Sequence, residues 1–323
     1  MTSRKNYIIK VALAFFFALI LTLTLMSAAF ATPLSIQTQN EPYRVDTFNV
    51  STPGELNVKT SGGHITVKGT STTKARIEMY VTKNGNNLLP EDIDLENWDI
   101  DVSQSGNSLQ AIAKRKRSSG WKLFSSNNNP SISFVVYSPH EMSTDLKTSG
   151  GHISIRGLKG DQQISTSGGH LELADLDGSI NARTSGGHIE ISDTKGGLKA
   201  RTSGGHIDAI NSIGKLNVKT SGGHIKLTNI QGPVKASTSG GSITADLASI
   251  DQLVDLHTSG GNIDLSVPNN IGLDLDLRGS YVHTDLNNFS GEVERDEIKG
   301  KLNGGGPKVS AYTSGGTVSL YFN

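Results

Sequence analysis

The word Thr-Ser-Gly-Gly-His-Ile opens at Thr60, Thr148, Thr184, Thr202 and Thr220, and a variant ending in Leu opens at Thr166. From Thr148 the starts fall at 148, 166, 184, 202, 220 and 238, a constant step of 18 residues. Looser copies open at Thr258 (Thr-Ser-Gly-Gly-Asn-Ile) and Thr313 (Thr-Ser-Gly-Gly-Thr-Val). A period this short and regular means that the chain stacks copies of one small unit, each unable to bury its apolar face alone.

Within a unit the apolar residues alternate with polar ones. Leu216, Val218 and Thr220 share one parity, and Ile225 and Leu227 resume it after the glycines. Period two is the signature of a strand with one buried face. Each unit is therefore read as two short strands. Ser-Gly-Gly makes one turn, where glycine allows positive φ and close backbone approach, and a second turn falls near Asn229–Gly232. The expected inward columns are Leu146, Ile164, Ala182, Ala200 and Val218 before the Thr, and Ile153, Leu171, Ile189, Ile207 and Ile225 after the glycines. Stacked coils pair their strands in parallel at about 4.8 Å. The predicted fold is all-β: a single-stranded parallel β-solenoid (β-helix), about 18 residues per coil, right-handed from strand twist and crossover handedness. A left-handed hexapeptide helix is excluded by charged residues six positions before the isoleucines, Lys219 before Ile225 and Arg201 before Ile207. A propeller is excluded because its blades need about 40 residues.

Regular repeats are expected over 148–267. The stretch 32–147 reads as an N-terminal coil with an irregular β-rich cap, with strands at Arg76–Lys83, Asp99–Ala113 and Ser131–Ser138 and long loops at Asn84–Asn97 and Lys114–Pro130. The stretch 268–323 reads as irregular coils and a final repeat, with a strand near Leu273–Leu277 and a turn at Gly304–Pro307. Exposed solenoid ends invite edge-to-edge association, so caps are required.

Residues 1–31 read as a signal peptide: Arg4, Lys5 and Lys10, an apolar run from Val11 to Phe30, and a small-x-small cleavage site at Ala29-Phe30-Ala31. An uncleaved membrane anchor is the alternative. No later stretch is apolar enough to span a bilayer. Export to the periplasm, cell surface or medium follows from this reading. The chain contains no cysteine, so packing and backbone pairing alone must hold it. Formal net charge is zero over all 323 residues, and the part after Ala31 is mildly acidic, which argues against nucleic acid as a partner.

One column stands out chemically. His152, His170, His188, His206 and His224 hold one position in five successive coils, and His64 holds it in an earlier copy. Strand parity points them outward, with neighbours about 5 Å apart. Neutral imidazoles at that pitch are candidate ligands for Zn²⁺ or Cu²⁺, or a pH-responsive face. Against this, Ser242, Asn262 and Thr317 take the place in later copies, so the fold does not demand His. A straight ladder also does not converge as a tetrahedral site requires. The Thr column points inward by parity and reads as structural, its hydroxyls bonding neighbouring coils. Outward charge is sorted: Lys147, Arg183, Arg201 and Lys219 precede the Thr, whereas Glu172, Glu190 and Asp208 follow on the second strand. Solvation of the strands is the plain reading; a basic strip for acidic polysaccharide or lipid head groups, extended by Lys114-Arg115-Lys116-Arg117, is the sharper one. The calcium repeat Gly-Gly-x-Gly-x-Asp is absent, as are Gly-x-Ser-x-Gly and His-Glu-x-x-His. No catalytic residue and no cofactor is expected.

The repeated Thr-Ser-Gly-Gly-x-Ile, Tyr137-Ser138-Pro139 and Leu302-Asn303-Gly304-Gly305-Gly306 resemble the DUF4097 family, bacterial β-strand repeat proteins often labelled adhesins. The resemblance implies a β-repeat fold and, by shape alone, an adhesive role; it carries over no functional residue. The sequence therefore points to an exported, non-catalytic β-solenoid: a structural or adhesin-like module of the cell envelope, its partner an envelope polysaccharide or another envelope protein. The alternatives are a polysaccharide-active enzyme with its site between Gly69 and Thr148, and a periplasmic metal-binding protein using the histidine column.

Overall fold

Alternating burial along every repeat segment carries the architecture. The strand Ile189–Arg201 and its neighbour Leu171–Arg183 pair in parallel in strict register, Leu171 with Ile189 and Arg183 with Arg201. The same 18-residue offset joins Ile153 to Leu171, Ile189 to Ile207, Ile207 to Ile225 and Ile225 to Ile243. The computed structural model describes residues 41–116 and 129–323. Among them the chain is all-β, without helix, and its 26 strands belong to one solenoid-like sheet that is not closed. The predicted signal peptide, and positions 117–128 of the predicted loop Lys114–Pro130, lie outside the described residues. No helix of the described residues is long and apolar enough to cross a membrane.

The predicted inward columns are the core: Leu146, Ile164, Ala182, Ala200 and Val218 are buried, as are Ile153, Leu171, Ile189, Ile207 and Ile225. Each fully buried Ile or Leu contributes about 1.5–3 kcal/mol of transfer free energy. Ala182, Ala200 and Ala236 share their coils with the larger Ile189, Ile207 and Ile243, which keeps the interior filled without overpacking.

The second turn differs from the expectation. Pairing continues through it in Leu171–Arg183 and Ile189–Arg201, each a single long strand, whereas the other coils keep two strands, as in Ile207–Ile213 with Leu216–Lys219. Asp175, Asp193, Asn211 and Asn229 adopt left-handed φ values of 51–55°. This flips the alternation, and the next residue points inward: Leu176, Thr194, Ser212 and Ile230 are all buried. The polar pair in this set satisfies itself, Thr194 Oγ1 donating to Ser212 Oγ at 2.9 Å. Gly178, Gly196, Gly214 and Gly232, at φ 113–131°, complete the bend.

Both ends depart from chain order in the same way. The coil of Gly54–Thr60 and Ile65–Thr70 is not terminal. It lies between Met142–Lys147 and Ile153–Lys159 on one side and Ser108–Arg115 and Ser131–Pro139 on the other. Antiparallel strands then end the ladder: Lys74–Lys83 on Ser131–Pro139, Arg44–Asn49 on Lys74–Lys83, and Trp98–Ser105 on Ser108–Arg115. The expected strand Asp99–Ala113 is thus a hairpin, turning at Gly106 with φ 58°. At the other end, Lys308–Thr313 and Thr317–Phe322 are inserted between Val254–Thr258 and Ile263–Val267 on one side and Leu273–Arg278 and Tyr281–Thr284 on the other. Glu297–Leu302 and Phe289–Val293 pair antiparallel beyond them. Antiparallel caps remove the parallel edges that would otherwise template association.

Candidate functional surface

The Thr-Ser-Gly-Gly corner sets the outward face, and each of its residues has a separate reason. Thr202 is buried; its Oγ1 donates to Gly187 O of the preceding coil at 2.8 Å and accepts from Gly205 N at 3.3 Å. Thr166, Thr184, Thr220 and Thr238 repeat the pattern. The amides of Ser203 and Gly204 both donate to Ser185 O, at 3.1 and 3.0 Å. The second glycine is fixed by close approach, since a Cβ on Gly205 would run into Gly187 O. The first is not, because a Cβ on Gly204 would meet nothing nearer than Gly186 O at 3.7 Å. Neither has positive φ, so close approach explains the second glycine only, and the expectation that the turn uses positive φ is corrected.

The corner delivers the histidines into one column. His64, His152, His170, His188, His206 and His224 stack with ring centroids 4.8–5.3 Å apart. The planes lie within 6° of parallel except at the last pair, at 17°. His64, His152, His170, His206 and His224 are exposed, and His188 is half-buried. Each ring also makes a bond that parity could not reveal. Nδ1 of His152 accepts the backbone amide of His170 at 2.8 Å, Nδ1 of His170 that of His188 at 2.8 Å, and Nδ1 of His206 that of His224 at 2.9 Å. An accepting Nδ1 carries no proton, so the neutral ring holds its proton on Nε2.

The rule extends beyond histidine. Ser133 Oγ accepts from His64 N, Ser242 Oγ from Asn262 N, and Asn262 Oδ1 from Thr317 N, at 3.0–3.1 Å. The column requires an acceptor for the next coil's amide, and His, Ser and Asn all supply one. Sequence reasoning missed this; the signal was that every replacement, Ser242, Asn262 and Thr317, is a side chain able to accept.

The predicted candidates His152, His170, His188, His206 and His224 are therefore brought into one line. Two nitrogens on one tetrahedral Zn²⁺ stand about 3.4 Å apart, from Zn–N bonds near 2.0–2.1 Å. Among the described residues no group of three or more His, Asp or Glu is arranged to hold a metal ion.

Flanking columns complete the surface. Lys59, Lys147, Ser165, Arg183, Arg201 and Lys219 are in register on the strands before the corner. Glu172, Glu190, Asp208 and Lys226 are in register two residues beyond the histidines. The corner thus separates a cationic row from an imidazole row with an acidic row beside it. Of the basic run predicted to extend the strip, Lys114 and Arg115 end the strand Ser108–Arg115, while Arg117 lies outside the described residues.

The Toastrack DUF4097 family model matches residues 211–321. This bears out the family resemblance over that segment, which includes Leu302–Gly306 but not Tyr137–Pro139. A putative cell adhesion protein from Clostridium sporogenes ATCC 15579 is similar at 13% identity over 88% of this chain and 100% of its own, with a TM-score of 0.22. A putative adhesin from Bacteroides fragilis NCTC 9343 is similar at 12% identity over 87% of this chain and 96% of its own, with a TM-score of 0.32. No curated protein matches the chain.

Proposed function

We propose that this chain, with its Toastrack segment at 211–321, is an exported, non-catalytic β-solenoid of the bacterial cell envelope that acts as a structural or adhesin-like binding module. The coils wind right-handed with about 18 residues each, as strand twist favours. The observation that carries the reading is the registered outer surface: rows of like side chains repeated at the coil spacing, with imidazoles 4.8–5.3 Å apart. Such a surface suits a partner that is itself extended and repetitive, and an envelope polysaccharide meets that description. A hydrolase of such polymers needs two carboxylates flanking the scissile bond. Here Glu172, Glu190 and Asp208 succeed one another in a single row on one face.

The test is incubation of the purified protein with isolated envelope polysaccharides, followed by sedimentation and an assay for new reducing ends. Co-sedimentation without new reducing ends is expected, and protein in the periplasmic or protease-accessible surface fraction of cells. Release of reducing ends, or recovery in the cytoplasmic fraction, would overturn the reading.

A further inference from the structure

We infer that the strand face before the Thr-Ser-Gly-Gly corner docks a linear acidic polysaccharide, one bearing carboxylates along its length; this rests on the binding-module reading above and narrows it to one face and one class of polymer. Four successive coils pair in register here: Gln162–Ser165, 180–183, 198–201 and Leu216–Lys219. Their outward positions are Gln163 and Ser165, Asn181 and Arg183, Lys199 and Arg201, and Asn217 and Lys219. Half of these side chains are cations, and none is a carboxylate or an apolar group. Among the described residues Arg183, Lys199, Arg201 and Lys219 make no ion pair. The flanking coils differ: there carboxylates do reach this face and are neutralised, Asp145 by Lys59 at 2.8 Å and Asp255 by Lys235 at 2.7 Å. Positive charge is thus left uncompensated only over the middle of the stack.

Register sharpens the effect. Arg183, Arg201 and Lys219 stand directly opposite one another on neighbouring strands, at the strand spacing of about 4.8 Å. Like charges so placed repel and destabilise a sheet, and a polyanion laid along the stack relieves that repulsion. A groove of about 370 Å³ runs beside the row across the same coils. Gln163, Asn181 and Asn217 line it with amides, and Lys199 and Lys215 with ammonium groups. Ser179 and Gly197, paired in register, keep it open; a Cβ on Gly197 would meet nothing within 4 Å. Asn181 Nδ2 donates to Gln163 Oε1 at 2.9 Å, and both amides retain donors and acceptors for sugar hydroxyls. The mixture selects the partner. Amides match hydroxyls and the cations match carboxylates, while a membrane surface would call for apolar side chains that these outward positions lack.

The experiment is calorimetric titration with polygalacturonate, with dextran, double-stranded DNA and phosphatidylglycerol vesicles run alongside. The expected result is binding of polygalacturonate that weakens as salt rises, because exposed charges are screened, and no binding of dextran. Combining Arg183→Gln, Arg201→Gln and Lys219→Gln is expected to weaken binding roughly tenfold, each exposed ion pair being worth a factor of roughly 1.4–5. Without polymer the same variant is expected to be no less stable than the wild type, since it removes repulsion between neighbouring strands; a merely structural role for these cations would lower its stability. Lys199→Gln alone, at an exposed position, weakens binding in a fold that is otherwise untouched. Glu172→Gln with Glu190→Gln, across the corner, leaves binding intact. No binding of polygalacturonate, equal binding of dextran, tighter binding of DNA or vesicles, or polygalacturonate binding indifferent to the cation variants would each overturn the inference. Co-sedimentation with isolated envelope polysaccharide would then still uphold the module reading, which is decided separately by reducing-end release and cell fractionation.

Discussion

Nδ1 of His188 accepts the backbone amide of His206 at 2.9 Å, and this one bond explains a column that sequence presents as a row of repeated imidazoles. At the Gly-Gly corner the amide of each histidine donates to the side chain of the coil before it. Substitution of His188 is therefore felt one coil away. His188→Ala removes the acceptor and is expected to cost about 0.5–1.5 kcal/mol, moderated because water reaches this half-buried site. His188→Asn supplies a carbonyl in its place, as Asn262 does for Thr317, and recovers most of the loss. Solenoids depart from two-state unfolding, so the measurement is amide hydrogen exchange at His206: faster in the Ala variant, near wild type in the Asn variant. Unchanged exchange at His206 in the Ala variant would show the bond to be dispensable.

The same geometry fixes the tautomer. In neutral protein, long-range proton–nitrogen correlation spectra are expected to place the ring proton on Nε2 for His152, His170, His188, His206 and His224, since each Nδ1 is an acceptor. A protonated Nδ1 at neutral pH in the middle rungs would contradict the hydrogen-bond assignment.

Two glycines that look identical in the repeat are expected to respond oppositely. Gly205→Ala places a Cβ against Gly187 O and 2.8 Å from His188 N, backbone atoms that cannot move without shifting a coil. The expected cost is about 3 kcal/mol or more. Gly204→Ala meets only ordinary contacts, the nearest at 3.7 Å, and the position lacks positive φ. Its effect is expected to lie between neutral and about 1 kcal/mol stabilising, through the narrowed unfolded ensemble. Chemical denaturation of the two variants side by side makes the comparison.

Thr202 offers a third contrast. Thr202→Val keeps the shape but strips the buried hydroxyl, leaving Gly187 O and Gly205 N without their partner at a site where water does not enter; about 1–3 kcal/mol is expected. Thr202→Ser keeps both bonds, loses a methyl group, and should fall near 1 kcal/mol.

What the sequence could and could not reveal follows from which forces are periodic. Ile189, Leu198 and Ala200 repeat with the strand, so burial was legible from alternation, and the outward line of histidines followed from parity. Thr194 and Ser212 are buried but polar, and only the left-handed Asp193 and Asn211 turn them inward; alternation cannot see a bend that resets its own phase. The stacking order at the ends was hidden for a different reason. That Gly54–Thr60 lies inside Ser108–Arg115 is a matter of long-range pairing, which no local pattern encodes. The acceptor role of the histidine column depended on an amide orientation at the corner, although Ser242 and Asn262 in the same column were its visible trace.

Tyr80 sets a pH limit at the N-terminal cap. Burial is the main cause that pushes its phenol up from 10.0 to about 12, and the hydrogen bond it donates to Glu78 Oε2 at 2.8 Å and the Glu78 charge add to the shift. Arg76, which pairs with Glu78 at 2.7 Å, opposes it. A raised pKa in an acid means that the folded state favours the protonated phenol. The resulting stabilisation is fully present below pH 10 and is lost as pH rises from about 10 to about 12. Ultraviolet titration of phenolate absorbance is expected to show one tyrosine ionising last, near the upper end of that window, and Tyr80→Phe should remove that component. Glu78→Gln should bring it down, because it deletes the charge while keeping an acceptor. A late component that persists in Tyr80→Phe would assign the shift to another tyrosine.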